Sequence, residues 1–247
     1  MVRSADFTER KEEILDLVIE SYIENTKPIG SFYLCRKYNL PYSPATVRGV
    51  LEDLEHEGFL SHVHTSSGRV PTTKGFKRYV ARLKEKEVLD SHPMDLSRYH
   101  PPHGHLEPAI NYTLDALAEI SGYTSMLVLA NAHEEKIFFR GTRYILEQPE
   151  FADIARARNL FYALEVQVDH LQHLLAHSYG EQVKILIGDE LGFDHMGDCS
   201  LVLSGAYEQD TNLTLGVLGP MRMDYERAIA SICSMRQEMV KALDGLL

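Results

Sequence analysis

Apolar residues recur along the chain with two different periods, and the changes of period predict its elements. Up to Asn25, Ile14, Leu15, Val18, Ile19 and Tyr22 recur at three- and four-residue steps, the signature of a helix with one buried face. Thr8 is placed to cap that helix. The run Lys27-Pro28-Ile29-Gly30 breaks it, and Ser31 is placed to cap a short second helix through Tyr38. Asn39-Leu40-Pro41-Tyr42 predicts a turn. Ser43 then caps a third helix with Pro44 at its first position, where a missing N–H costs nothing. Val47, Val50, Leu51 and Leu54 form its buried stripe, and Gly58 is its left-handed terminator. Beyond Gly58 the period shortens. Phe59 to His64 reads as a strand, Thr65-Ser66-Ser67-Gly68 as a turn and Arg69-Val70-Pro71 as a returning strand, before helical spacing resumes from Lys74 to about Glu87. Three helices and a small hairpin, with a four-residue turn between the second and third helices, form the pattern of a winged helix-turn-helix.

A Pro/His-rich stretch over 88–108, with Pro93, Pro101, Pro102 and Pro108, reads as a linker. The remaining segment mixes periods. Ala109 to Ile120 is helical, Ser125 to Ala130 and Lys136 to Phe139 are strands, and Phe151 to His177 carries one long helical pattern. Val183 to Ile187, Cys199 to Leu203 and Leu213 to Leu218 are strands bounded by glycines, and Asp224 caps a last helix to about Leu243. The expected organisation is α+β: a winged helix-turn-helix over 1–87, the linker over 88–108, and a sheet domain over 109–247.

Composition changes this picture in one respect. The 247 residues suit one or two domains, and 44% hydrophobic with 25% charged residues is ordinary for a globular chain. No run approaches the 18 or so apolar residues of a membrane span, and Met1 to Asp6 lacks the apolar core of a signal peptide. Three well-separated cysteines, Cys35, Cys199 and Cys233, fit a reducing cytoplasm. The net charge of −11 argues against nucleic acid until it is divided. Residues 1–86 hold 14 Lys and Arg against 12 Asp and Glu, whereas residues 87–247 hold 11 against 24. From Ser61 to Lys84 there are six basic residues and no acidic one. Such a strip is either a footprint for a polyanion or a solvated basic helix.

The third helix is the candidate reader of base edges. Its stripe leaves Ser43, Ala45, Thr46, Arg48 and Gly49 on the outer N-terminal part, where recognition helices meet DNA. Arg48 suits guanine O6 and N7, and the methyls of Ala45 and Thr46 suit thymine. Gly49 costs about 1 kcal/mol relative to alanine in mid-helix, which fits either close backbone approach by a partner or simple tolerance. At the hairpin tip, Thr65 and Ser66 suit phosphate oxygens and Arg69 a narrow minor groove. Lys74, Lys77 and Arg78 follow as phosphate anchors.

These residues carry a family resemblance. Ser43-Pro44-Ala45-Thr46-Val47-Arg48, Gly58-Phe59-Leu60 and His64-Thr65-Ser66-Ser67-Gly68-Arg69-Val70-Pro71-Thr72 resemble the winged-helix domain of the bacterial heat-inducible transcription repressor family, HrcA. Leu146-Glu147-Gln148-Pro149-Glu150-Phe151, Asp198-Cys199-Ser200-Leu201-Val202 and Gly219-Pro220-Met221-Arg222-Met223-Asp224-Tyr225 are similar to later motifs of that family, in the same order. The resemblance implies a homodimeric cytoplasmic repressor, associated with the nucleoid, that binds double-stranded DNA at an inverted-repeat operator called CIRCE and is released by heat. It also implies a GAF-like second domain and a GroEL-type chaperonin as partner, and it adds His64 to the DNA-binding set. Two departures stand out. Gly49 replaces the family's usual asparagine. The chain also runs almost directly from Ala130 through Lys136 to Gln148, where the family has on the order of a hundred more residues, enough for a domain of its own. The expectation is therefore a truncated GAF-like domain without the inserted dimerisation domain, dimerising through the helix near Leu160 to Leu175, the sheet or the last helix.

The remaining residues point to no chemistry. His100, His103 and His105 lie in the linker with no cysteine or acid beside them, and His170, His173 and His177 read as a polar helix face although His173 and His177 have zinc-type i,i+4 spacing. No metal or cofactor is expected. Gly216 to Pro220 is not a phosphate loop, and no nucleophile–base set marks an enzyme. Two rival readings are a small-molecule-responsive regulator with the GAF-like domain as sensor, and an enzyme or chaperone-interaction module whose winged helix has lost DNA.

Overall fold

The computed structural model describes residues 2–62, 68–85, 99–102, 104–178, 180, 182–193, 196–208 and 210–243. The expected tip residues His64, Thr65, Ser66 and Ser67, together with His103 and 88–98 of the expected linker, lie outside the described residues. The chain divides into two compact units, Met1–Glu85 and Lys86–Leu247.

In the first unit, α1 (Val2–Asn25) packs against α3 (Pro44–His56) and α4 (Thr73–Glu85), while α2 (Ser31–Tyr38) packs against α3. Val47, Val50, Leu51 and Leu54 of α3 meet Ile14, Val18 and Leu34 in one core, as their spacing requires. The short strands β1 (Leu60–His62) and β2 (Arg69–Pro71) pair antiparallel. Ile29 adds a bridge to β2, exchanging two 2.8 Å backbone hydrogen bonds with Arg69. Gly68 is required there, since a Cβ would lie 2.5 Å from the Ile29 carbonyl. Gly75 is required for α4 to seat on the hairpin, since its Cβ would lie 2.4 Å from the Phe59 oxygen.

The second unit is built on a five-stranded sheet, antiparallel throughout, in the order β4-β3-β7-β6-β5. Its strands are β3 (Thr124–Ala130), β4 (Glu135–Arg140), β5 (Lys184–Ile187), β6 (Cys199–Glu208) and β7 (Thr211–Pro220). Alternation divides its faces. Met126 and Val128 enter a core with Leu160, Leu164, Leu171 and Leu175 of α7 (Ile154–Val166) and α8 (Val168–Ala176). Ser125 points the other way and donates at 2.7 Å to the Leu114 carbonyl of α5 (Leu106–Ser121), which pairs with α9 (Tyr225–Leu243). The short α6 (Thr142–Leu146) lies against β3 and β7. The sheet is thus enclosed between two helical layers.

Several expectations need correction. The first helix begins at Val2, so Thr8 lies inside it; no glycine or proline precedes Thr8 to stop the helix there. Gly30, not Ser31, is the cap of α2, and Ser31 is its buried first residue. The fifth helix starts at Leu106 and takes Pro108 into its first turn, where no N–H is needed. The single long helix expected over Phe151 to His177 is a 3-10 turn (Pro149–Ala152) and two helices broken at Gln167, with Asp153 capping the first through a 2.8 Å bond to Ala155 N. Strands β6 and β7 run further than their glycines indicated. Gly205 and Gly219 lie within them because neighbours crowd the backbone, a Gly219 Cβ coming 2.8 Å from Tyr123 and 2.9 Å from Met223.

Candidate nucleic-acid interface

The outer face of α3 is held from both ends. Ser43 accepts at 3.1 Å from Thr46 N, and its hydroxyl lies 2.9 Å from that of Thr46. At the far end Gly58 takes φ +79° and lets Phe59 N–H reach the Leu54 carbonyl at 2.9 Å. Between these ends Ser43, Ala45, Thr46, Arg48 and Gly49 are all exposed, as their spacing predicts. Among the described residues Arg48 makes no hydrogen bond or ion pair. A Cβ on Gly49 would meet nothing within 4 Å, so packing inside the chain does not require glycine at that position.

The basic strip behaves differently. Arg78 pairs with Glu12 and, at 3.2 Å, with Glu85, while Arg82 pairs with Glu12 and, at 3.0 Å, with Asp16. Burial opposes charge on Glu12, but the Arg78 hydrogen bond and the two guanidinium charges outweigh it and hold its carboxyl below the usual carboxylate range. Lys74 donates at 2.7 Å to the Glu57 carbonyl at the end of α3, with its Nζ 4.4 Å above the Phe59 ring. Lys77 is half-buried. Arg69 lies 2.7 Å from Glu55, which also holds His62. The His62 hydrogen bond first, and the Arg69 charge after burial has opposed it, hold the Glu55 carboxyl below its usual range. The six basic residues that look continuous in sequence are therefore largely absorbed by the fold, Arg78 and Arg82 against α1 and Arg69 and Lys74 against α3.

Sequence reasoning missed Phe32 and Arg36, both exposed and four residues apart on α2, with Phe32 69% exposed. Their signal was present, since neither falls on the buried stripe marked by Ser31 and Leu34.

In the second unit the late motifs meet each other. Arg222 is bound by both oxygens of Glu150, one at 3.1 Å, and by Gln148 at 3.0 Å. Tyr123 accepts from Asp224 N at 2.9 Å, and Asp224 caps α9 through a 3.0 Å bond from Arg227 N. Tyr225 is buried against Ser200 at 2.8 Å and the Met221 carbonyl at 2.6 Å. Burial pushes the Cys199 thiol up to about 12, which suits packing rather than reactivity. One cluster that sequence spacing showed only in part is completed here, because Glu135 joins His173 and His177 with their ligand atoms within 4.8 Å of one another. It borders a cleft of about 740 Å³ lined by Asn131, His133, Asp210 and Asn212 among others. None of the described helices is long and apolar enough to cross a membrane.

A family model described as the HrcA protein C terminal domain matches residues 109–229. The heat-inducible transcription repressor HrcA of Oceanobacillus iheyensis is 27% identical over 338 aligned positions, covering 96% of this chain and 97% of that protein. The repressor of the same name from Desulforamulus reducens is 28% identical over 340 positions, covering 97% and 98%. An alignment of 338 positions exceeds the 247 residues of this chain by 91, so at least that many positions of the Oceanobacillus protein face no residue here. A solved structure described only as a hypothetical protein shares the fold, with a TM-score of 0.77 at 15% identity over 96% of this chain and 99% of that one. With its later motifs gathered around Arg222, its second unit matched by the family model and both relatives aligned along nearly all its length, the chain belongs to the family of heat-inducible transcription repressors named HrcA.

Proposed function

We propose that this protein is a heat-inducible transcription repressor that binds double-stranded DNA as a homodimer, at an inverted-repeat operator of the CIRCE kind, with α3 as its recognition helix. The observation that carries this is the exposed N-terminal face of α3, where the Arg48 side chain has no partner among the described residues, on a helix fixed at both ends. On this reading α1 to α4 with the β1–β2 hairpin form a winged helix-turn-helix. Arg48 reads a guanine, Thr46 and Ala45 contact neighbouring bases, and Gly49 lets the helix backbone lie close to the DNA. His64, Thr65 and Ser66 meet the backbone from the hairpin tip, and Lys77 joins them as a phosphate anchor. The second unit is a shortened GAF-like domain, and the regulator works in the bacterial cytoplasm on the nucleoid. Its activity is binding, not catalysis.

An inverted repeat needs a two-fold protein. In place of an inserted dimerisation domain, α7 offers Ile154, Tyr162 and Val166, which are 84%, 51% and 62% exposed and lie along one side of the helix at steps of eight and four residues. This stripe is the dimer surface on our reading, and a GroEL-type chaperonin acts on the heat-released chain. The test is a gel shift on the inverted-repeat operator across a temperature ramp, with the mass of the complex measured in parallel. The reading predicts two chains per operator at low temperature and loss of the complex before global unfolding. Equal affinity for operator and random DNA, or one chain per operator, overturns it.

A further inference from the structure

We infer that Glu135, His173 and His177 form a binding site for a divalent transition metal of the zinc class, joining the edge strand β4 to α8. Three observations converge. The two histidines are four residues apart, His173 in the last turn of α8 and His177 as its C-terminal cap, and their tilted rings lie with centroids 3.9 Å apart. The fold then brings Glu135, 38 residues before His173 in the chain, to the same place, with all three ligand atoms within 4.8 Å of one another. The ring orientation of His177 is already set, because its Nδ1 lies 2.9 Å from the His173 backbone carbonyl. An Nδ1–H donated to that carbonyl leaves Nε2 with its lone pair for a metal, the arrangement in which metal-binding histidines are usually held. Glu135 is steadied similarly, since its backbone carbonyl accepts from Gln172 Nε2 at 3.0 Å.

Two neutral imidazoles and one carboxylate suit Zn²⁺, Ni²⁺, Co²⁺ or Cu²⁺ rather than Mg²⁺ or Ca²⁺, which prefer all-oxygen sites. Zinc bonds of about 2.0–2.1 Å place tetrahedral ligands about 3.3 Å apart, so closing from 4.8 Å requires only small rotamer changes in half-buried and exposed side chains. Three protein ligands would leave a fourth position for water, and Glu135 and His177 line the cleft beside Asn131 and His133 through which water would enter. The excess of acidic residues in 87–247 adds a favourable background for a cation. The physical consequence is a cross-link between a sheet edge and a helix of the opposing layer. Metal binding therefore raises the thermal stability of the second unit.

The test is isothermal titration of the untagged 247-residue chain with ZnCl₂, together with thermal melts. The expected result is one Zn²⁺ per chain at micromolar affinity and a melting temperature raised by about 5–10 °C at a 100-fold excess over Kd. His173→Ala and His177→Ala should each weaken binding about 100-fold, and Glu135→Gln about 10-fold, with unchanged circular dichroism. A His100→Ala/His105→Ala variant should bind as the parent does. No Zn²⁺ uptake, or uptake that survives both helix variants or disappears with the linker variant, overturns the site.

Discussion

Two regions of the first unit offer cations, one as a dense strip and the other as a single arginine, and the fold treats them in opposite ways. The strip from Arg69 to Lys84 holds six cations without an intervening acid. Two of them, Arg78 and Arg82, are turned onto Glu12 and Asp16 of α1, and two more are turned onto α3. The α3 face holds one arginine, Arg48, and leaves it exposed and unpaired among the described residues. The lesson is that cation density in sequence does not measure charge available to a polyanion. An arginine on a helix beside an acidic neighbour is spent on packing, whereas one opposite the buried stripe stays exposed.

The comparison is broken most directly at Arg48. Arg48→Ala should cost about 1–3 kcal/mol at each half-site, hence about 2–6 kcal/mol of operator affinity in a dimer, with the melting temperature unchanged. Competition gel shifts with operator and random DNA measure this. Arg82→Ala should do the reverse. Removing Arg82 takes from Asp16 its 3.0 Å guanidinium partner and leaves Glu12 with Arg78 alone, for a loss of about 2–3 kcal/mol of stability by chemical denaturation.

The two helix glycines sharpen the contrast. Gly75→Ala forces a Cβ to 2.4 Å from the Phe59 oxygen, and a destabilisation of about 1–3 kcal/mol should follow. Gly49→Ala meets nothing and should raise stability by up to about 1 kcal/mol while weakening operator binding. The smallest effect concerns Glu55. Its carboxyl is lowered in the folded state by His62 and Arg69, so the stability it contributes is present above the unfolded carboxylate value of 4.5 and is lost as pH falls through the lower folded value. Glu55→Gln should remove that acid-side slope from denaturation curves measured between about pH 5 and pH 2.

Much of this fold was legible because local signals agreed with each other. Ser43-Pro44 at one end of α3 and Gly58 at the other set its bounds, and the 3/4 spacing of Val47, Val50, Leu51 and Leu54 set its face. The exposure of Ser43, Ala45, Thr46, Arg48 and Gly49 follows from that alone. What was illegible depended on contacts distant in sequence. Arg82 finds Glu12 across 70 positions, and Glu135 finds His173 and His177 across a strand, a turn and two helices. The break at Gln167 carries no proline or glycine to announce it, so periodicity alone joined α7 to α8. Glycines misled in β6 and β7, because Gly205 and Gly219 are there to admit neighbours rather than to end strands.

The most direct single measurement compares Arg48→Ala and Arg82→Ala for operator and random-sequence DNA binding at a temperature where circular dichroism shows both folded. The account predicts that Arg48→Ala loses its preference for operator, while Arg82→Ala keeps that preference within about threefold of the parent protein. Loss of operator preference in Arg82→Ala with its retention in Arg48→Ala would contradict the assignment of α3 as the reading helix.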